Sequence, residues 1–239
     1  MSLVLESRRL ATVTPALLAI SHGTSSPSGQ RAVAGLVAAV ADARADLPVA
    51  GGFVDVQQPD VAAVLSATDA PAAIVPLLLS AGYHVHVDLR RAIAGAPATV
   101  LATALGPDDR LTAVLVQRLV EAGLRPDDRV VLACAGSSDA RAVEDCHEMG
   151  RRLSHAIGRP VRVGFISAAS PRLDDAVDHE RSHGGRVVVS TYLLAPGYFA
   201  DLAASTTADL TSAPLLRADE QPPAELVDLV LDRYAGALR

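Results

Sequence analysis

The chain has 239 residues, half of them hydrophobic and a fifth charged, with a formal net charge of −6 and a mean hydropathy of +0.28. That balance excludes a disordered chain, and no apolar run approaches the roughly 18 residues a membrane-spanning helix requires. Acidic net charge with only 3% aromatic residues is the reverse of a nucleic-acid binder's footprint. The length suits one large α/β domain or two of about 120 residues.

All 21 basic residues are arginine. Without lysine there is neither a Schiff-base amine nor the lysine of a phosphate-binding P-loop. Anionic ligands would have to be met by placed arginines or helix N-termini. Cys134 and Cys146 fit neither a CxxC knuckle nor a disulfide framework and read as buried thiols in a reducing compartment. The opening Met1–Pro15 has no long apolar core and reads as a short leader into the first strand rather than a secretion signal, so a cytoplasmic protein is expected.

In chain order, strands are predicted at Ala16–Ser21, Val49–Val54, Ala72–Leu79 and Thr99–Thr103. Helices are predicted at Ser28–Ala45, Pro59–Ala67, Val85–Ala94 and Pro107–Ala122. The continuous run Ile74-Val75-Pro76-Leu77-Leu78-Leu79 suits a strand covered on both faces, hence a parallel sheet. Pro107-Asp108-Asp109 suits a helix start, where a missing donor costs nothing and negative charge is favoured. The pattern then begins again, with strands at Arg129–Cys134, Val161–Ile166 and Arg186–Thr191, and a weaker one at Pro214–Leu216.

The two halves are similar in detail. Leu17–Thr24 (LLAISHGT) aligns with Val130–Ser137 (VVLACAGS), Gly52-Phe53 and Pro59 with Gly164-Phe165 and Pro171, and Ala81-Gly82-Tyr83-His84 with Pro196-Gly197-Tyr198-Phe199. The offset stays at about 112–115 residues across these landmarks, the mark of a tandem duplication. Two α/β domains are therefore expected, 1–125 and 126–239, each a doubly wound parallel sheet.

The copies differ where chemistry is possible. His22 and His84 in the first half face Ala135 and Phe199 in the second, which reads as one working site and one retired site. If each sheet has the order 2-1-3-4, His22 at the end of strand one and His84 after strand three flank the topological switch point, where such sheets bind ligands. Two neutral imidazoles in a cleft suit a divalent metal with open coordination positions. Asp88, four residues beyond His84, shares its helical face and could orient it or serve the helix dipole. His86 reads as accessory. His147 and His155 lie in a polar helix; His179 and His183, near a Gly-Gly turn, have an i,i+4 spacing that could bind a metal but read as exposed histidines. Two other readings stay open: a divalent-metal carrier or sensor on the same scaffold, and a hydrolase using Ser25 or Ser26, although no Gly-x-Ser-x-Gly turn is present.

His22-Gly23-Thr24, Phe53-Val54-Asp55 with Pro59, and Pro76-Leu77 through Ala81-Gly82-Tyr83-His84-Val85 to Asp88 resemble the motifs of the sirohydrochlorin chelatases. These are the class II chelatases of sirohaem and cobalamin biosynthesis; the second half is similar to the degenerate copy of their two-domain members. The resemblance implies a chelatase-like fold of two α/β domains facing a central cleft and insertion of Fe²⁺ or Co²⁺ into sirohydrochlorin, with Ni²⁺ as a surrogate. The metal would be a substrate and no cofactor would be permanently bound. It also implies that His22 and His84 handle the metal and act catalytically, that Thr24, Ser25, Ser26, Tyr83 and Arg90 contact the tetrapyrrole, and that Asp88 and Asp55 support the histidines. His86, Val87 and Arg90 stand where the family usually has Lys or Arg, Glu and Pro, and Asp55 where it has Glu. Partners are then a small tetrapyrrole and a divalent ion, with neither nucleic acid nor membrane. Two fused copies mimic a homodimer's cleft within a monomer.

Overall fold

The computed structural model of the protein describes residues 14–69, 71–80, 82 and 89–239. The first half contains β1 (Ala16–Ser21), α1 (Pro27–Ala43), β2 (Val49–Phe53), α2 (Val61–Ser66), β3 (Ala72–Pro76), β4 (Thr99–Leu101) and α3 (Asp109–Glu121). The second contains β5 (Arg129–Cys134), α4 (Ala140–Ile157), β6 (Val161–Phe165), α5 (Leu173–Ser182), β7 (Val187–Tyr192), α6 (Tyr198–Ala204), β8 (Leu210–Thr211) and α7 (Ala224–Ala237). Residues 89–93 are also helical, within the range expected for a helix at Val85–Ala94, of which residues 85–88 lie outside the described residues.

Two four-stranded parallel sheets form, with orders β2-β1-β3-β4 and β6-β5-β7-β8. This is the 2-1-3-4 order twice, with β1 and β5 at the switch positions. Helix starts follow local chemistry. Ser26, Asp60, Asp108 and Asp139 each accept a main-chain N–H of the first turn, at Gly29, Ala63, Arg110 and Arg141, replacing a bond the helix cannot make internally.

One sequence expectation is corrected. The last strand is Leu210–Thr211, paired with Val188 and Val189, and Pro214–Leu216 is irregular. Leu215 and Leu216 are apolar because they are buried in the central core, while their amides donate to the carbonyls of Leu193 and Leu194 beyond the end of β7. Apolarity there records burial, not extension. The expected strands at Ala72–Leu79 and Thr99–Thr103 are also shorter, ending at Pro76 and Leu101.

The core is layered. Alternate residues of β1 face opposite sides, Leu17 and Ala19 toward a central layer and Ala16, Leu18 and Ile20 toward an outer one. In β5, Val130, Leu132 and Cys134 face the central layer, Val131 and Ala133 the outer one. Between the sheets lie α1, α3, α4 and α7, whose Leu36, Leu115, Met149 and Leu229 are fully buried in one shared cluster. The outer layers are α2 with Leu89 on the first sheet and α5 with α6 on the second. Both cysteines are buried near one another, and burial, reinforced by Cys146, pushes the Cys134 thiol well above its ordinary value, as expected of inert core thiols.

The closing helix of each half packs on the other half. Helix α7 lies against α1 and β3 of the first sheet, and α3 lies against α4 and β7 of the second. An arginine at corresponding places fastens each. Arg118, only 4% exposed, donates to the carbonyls of Pro214 and Leu215, and its Nη2 reaches Leu215 O at 2.8 Å. Arg233 donates to Ala104 O and Leu105 O, both at 2.8 Å. Each guanidinium satisfies carbonyls in the loop leaving the last strand of the opposite sheet, a task for a forked donor that a lysine ammonium performs poorly.

A third arginine closes the junction between the halves. Asp128 is buried, accepts two bonds from Arg186 and one from the amide of Arg125, and those contacts hold its carboxyl below the usual range despite burial. A carboxyl depressed on folding stabilises the native state fully above its unfolded pKa of about 3.9, and that contribution is lost as pH falls through the lower folded value. Asp128→Asn should therefore cost about 1–3 kcal/mol at pH 7 in urea unfolding, and the gap from wild type should narrow as the titration is repeated toward pH 3. Arg118→Met, which leaves two carbonyls without their donor, should cost about 2–4 kcal/mol in the same measurement.

Candidate functional site

Every strand of the first sheet points its C-terminal end toward the loops that carry the candidate residues. His22 follows β1 directly and its side chain is exposed. Its carbonyl accepts the amide of Asp55 at 3.0 Å, while Ser21 O accepts Val54 N at 2.9 Å, so the loop after β1 is tied to the loop after β2. Gly23 makes the crossing possible. Its φ is +94°, and a Cβ there would stand 2.1 Å from Asp55 O. The second half repeats this: Ala135 O accepts Ser167 N, Gly136 has φ +91°, and a Cβ on it would meet Ser167 O at 1.8 Å. The turn is therefore set by the backbone crossing, and only its side chain differs between the halves.

Thr24, Ser25 and Ser26 occupy the strand-to-helix turn. Thr24 is held on three sides: its amide donates to Gln57 Oε1 at 2.9 Å, its Oγ1 accepts from Ser26 N at 3.1 Å, and its carbonyl accepts from Gln30 Nε2 at 2.8 Å. Ser26 caps α1 and bonds Ser28, which commits its hydroxyl to the helix start. Ser25 is exposed. Asp55 is exposed as well; its carboxylate accepts from the amide of Val56 at 2.7 Å, so its recorded link to His22 runs through the main chain. Arg90 is exposed in the helical stretch 89–93. Tyr83, His84, His86 and Asp88 lie outside the described residues. On the near side of that segment, β3 pairs with β1 and Leu77 N donates to Ile20 O at 2.8 Å, so the chain leaves β3 beside the strand that ends at His22.

The second half reaches this site. A Cβ on Gly29, in the first turn of α1, would lie 2.3 Å from Pro196 O, and one on Gly197 would lie 3.3 Å from Thr24 Oγ1. The reciprocal approach exists too, since a Cβ on Gly82 would lie 4.0 Å from Ser137 Oγ. The turn after β1 thus meets the turn after β7, and the turn after β5 meets the segment after β3. Tyr192, at the end of β7, donates to Leu79 O at 3.0 Å, and a Cβ on Gly106 would strike both groups. Burial pushes the Tyr192 phenol well above its ordinary value, so it remains a neutral donor.

Sequence reading passed over Gln57, Gln30 and Pro196-Gly197 as supports of the His22 turn. Gln57 lies two residues before the aligned Pro59, and the residue two before Pro171 is Ala169, which has no side-chain amide; that asymmetry was the available signal. Among the described residues no cluster of three or more His, Cys, Asp or Glu side chains is arranged to hold an ion. In the second half, where both positions are described, Ala135 and Phe199 pack against the same apolar cluster on the outer face of the sheet.

The arrangement supplies an exposed imidazole at the mouth of a switch point, a well-braced turn whose Thr24 and Ser26 amides are already bonded, and the N-terminus of a 17-residue helix with no acidic residue in its first turn. Such a mouth favours an anionic ligand and leaves the imidazole for a metal or a proton.

Comparison with known proteins agrees with the fold. Solved structures with the same fold include SirB from Bacillus subtilis with Fe³⁺, at 21% identity and a TM-score of 0.74, covering 94% of this chain and 95% of that one. SirB from Bacillus subtilis subspecies spizizenii in complex with cobalt matches at 20% identity and a TM-score of 0.71, over 94% and 95% of the two chains. CbiX, described as the terminal enzyme for biosynthesis of siroheme in denitrifying bacteria, matches at 20% identity and a TM-score of 0.68, over 94% of this chain and all of that one. No curated protein sequence gives a significant match. The CbiX family pattern covers residues 16–122 and again 129–213, once over each half, and the chain belongs to the CbiX family.

Proposed function

We propose that this protein is a sirohydrochlorin chelatase, a lyase that inserts Fe²⁺ or Co²⁺ into sirohydrochlorin on the way to sirohaem or cobalamin. The observation that carries this reading is the pairing of one braced, exposed histidine at the switch point with a second half whose equivalent positions are apolar. Membership of the CbiX family supports it, as do the iron and cobalt in the SirB structures. Residues 1–125 form the working domain and residues 126–239 its degenerate copy, and the protein acts as a cytoplasmic monomer.

Sirohydrochlorin is a planar macrocycle with eight carboxylates and two pyrrole N–H groups. Metallation exchanges two protons for a divalent ion, so the site must hold a partly dehydrated metal, accept protons and let the ring bend. His22 and His84 hold the ion at the ring face; as the metal moves to the ring nitrogens, the imidazole it leaves takes one pyrrole proton and the second proton passes to water. Two imidazoles bind firmly enough to orient the ion and weakly enough to release it. The amide of Ser25 in the Thr24–Ser26 turn, the N-terminus of α1, Tyr83 and Arg90 meet the peripheral carboxylates, and the binding so gained offsets about 1–5 kcal/mol of ring distortion. Asp88 and Asp55 support the histidines. Ser137 and Pro196-Gly197 form the facing wall. The metal is substrate, and none is held permanently.

Anaerobic addition of Co²⁺ or Fe²⁺ to sirohydrochlorin, followed by its visible absorbance, tests the assignment. Wild type should accelerate the spectral change, while His22→Ala and His84→Ala should each reduce the acceleration about 100-fold or more. A divalent-metal carrier or sensor would bind the ion without speeding the change. A hydrolase would lose its activity on Ser25→Ala, whereas chelation should persist in that variant. Phe199→His should add little, because Ala135 still lacks an imidazole; a large gain would contradict a retired second site.

A further inference from the structure

The second half carries a pair of histidines that takes no part in this chemistry. Helix α5 ends in an i,i+4 pair, His179 in its last turn and His183 at its C-cap, both exposed. Their ring centres are 4.8 Å apart, with planes inclined by 55°. An ion about 2.1 Å from one nitrogen of each ring would place the ring centres roughly 4.5 Å apart at an octahedral right angle and roughly 5.2 Å apart at a tetrahedral angle. The observed spacing lies between the two.

The proton on one ring is already assigned by its neighbour. His183 Nδ1 is 2.8 Å from the carbonyl oxygen of His179. A carbonyl only accepts, so Nδ1 carries the proton and the Nε2 lone pair is left as a ligand, the arrangement in which a backbone acceptor fixes a ligating imidazole. The pair sits at the end of a helix, where the macrodipole favours a cation. The flanking arginines are engaged elsewhere: Arg129 with Gly184 O, His183 O and Glu180, and Arg181 with Thr207 O and Asp209. The other residues near the turn add no third ligand among the described side chains, so water would complete the sphere.

We infer that His179 and His183 form a surface site for a borderline divalent transition ion such as Ni²⁺, Cu²⁺, Zn²⁺ or Co²⁺, separate from the chelation site. Two imidazoles without carboxylates disfavour Mg²⁺ and Ca²⁺. Arg129 opens β5 and touches this turn, whereas the turn that meets the His22 loop leaves the opposite ends of the same sheet's strands, about 17 Å away along a six-residue strand. An ion held here is therefore captured outside the reaction cleft.

Titration of the full chain with NiCl₂ by calorimetry tests the site. Wild type should bind one more Ni²⁺ per chain than His179→Gln/His183→Gln, with micromolar affinity. Either single substitution should weaken that binding on the order of tenfold or more, since one imidazole of a chelating pair is lost. Both side chains are exposed, so far-UV circular dichroism should be unchanged, and so should metallation of sirohydrochlorin, which keeps this test separate from that of the cleft. Equal Ni²⁺ stoichiometry and affinity in wild type and the double variant would overturn the site.

Discussion

The fold depends on a reciprocal exchange in which the last helix of each half covers the sheet of the other. Neither α3 nor α7 can bury its apolar face on the sheet that precedes it in sequence, because α3 packs on α4 and β7 and α7 packs on α1 and β3. The central layer is therefore one core shared by both halves. Arg118 and Arg233 fasten the exchange at equivalent points by satisfying carbonyls that would otherwise be buried without donors. The hydrophobic layer supplies most of the stabilisation, and the two guanidinium forks specify how the layers are joined.

That joint brings the site together. With the sheets locked across shared helices, the turn after β1 abuts the turn after β7, and Gly29 and Gly197 sit where Pro196 O and the Thr24 side chain, respectively, come close. A second half with Ala135 and Phe199 at the equivalent positions thus still contributes to the candidate site, through Pro196 O beside Gly29 and the hydroxyl of Tyr192 on Leu79 O. The first half supplies the turn that carries His22, and the second packs Pro196 and Gly197 against it.

Much of this was legible beforehand. β1 and β5 occupy their predicted ranges, since runs such as Leu17-Leu18-Ala19-Ile20 are buried on both faces and can be little else. The repeat showed that Gly23 and Gly136 answer to one constraint, now visible as the same backbone crossing. His22 stands out in the sequence because it breaks that repeat, with Ala135 at the equivalent place. Gln57 was overlooked because an exposed-looking glutamine carries no periodic signal, and its amide matters only where two loops cross. The strand expected at Pro214–Leu216 failed because a short apolar run looks the same whether it is paired in a sheet or buried against helices.

The sequence alone determined the parallel α/β class, the tandem copies and the histidine asymmetry, because periodicity, burial and self-similarity are local properties of the chain. Only the tertiary structure decided which helix covers which sheet and which turns meet across the halves. Arg118 and Pro214, or Gly29 and Pro196, lie far apart in sequence, and no local pattern encodes a contact whose energy exists only once both sheets have formed.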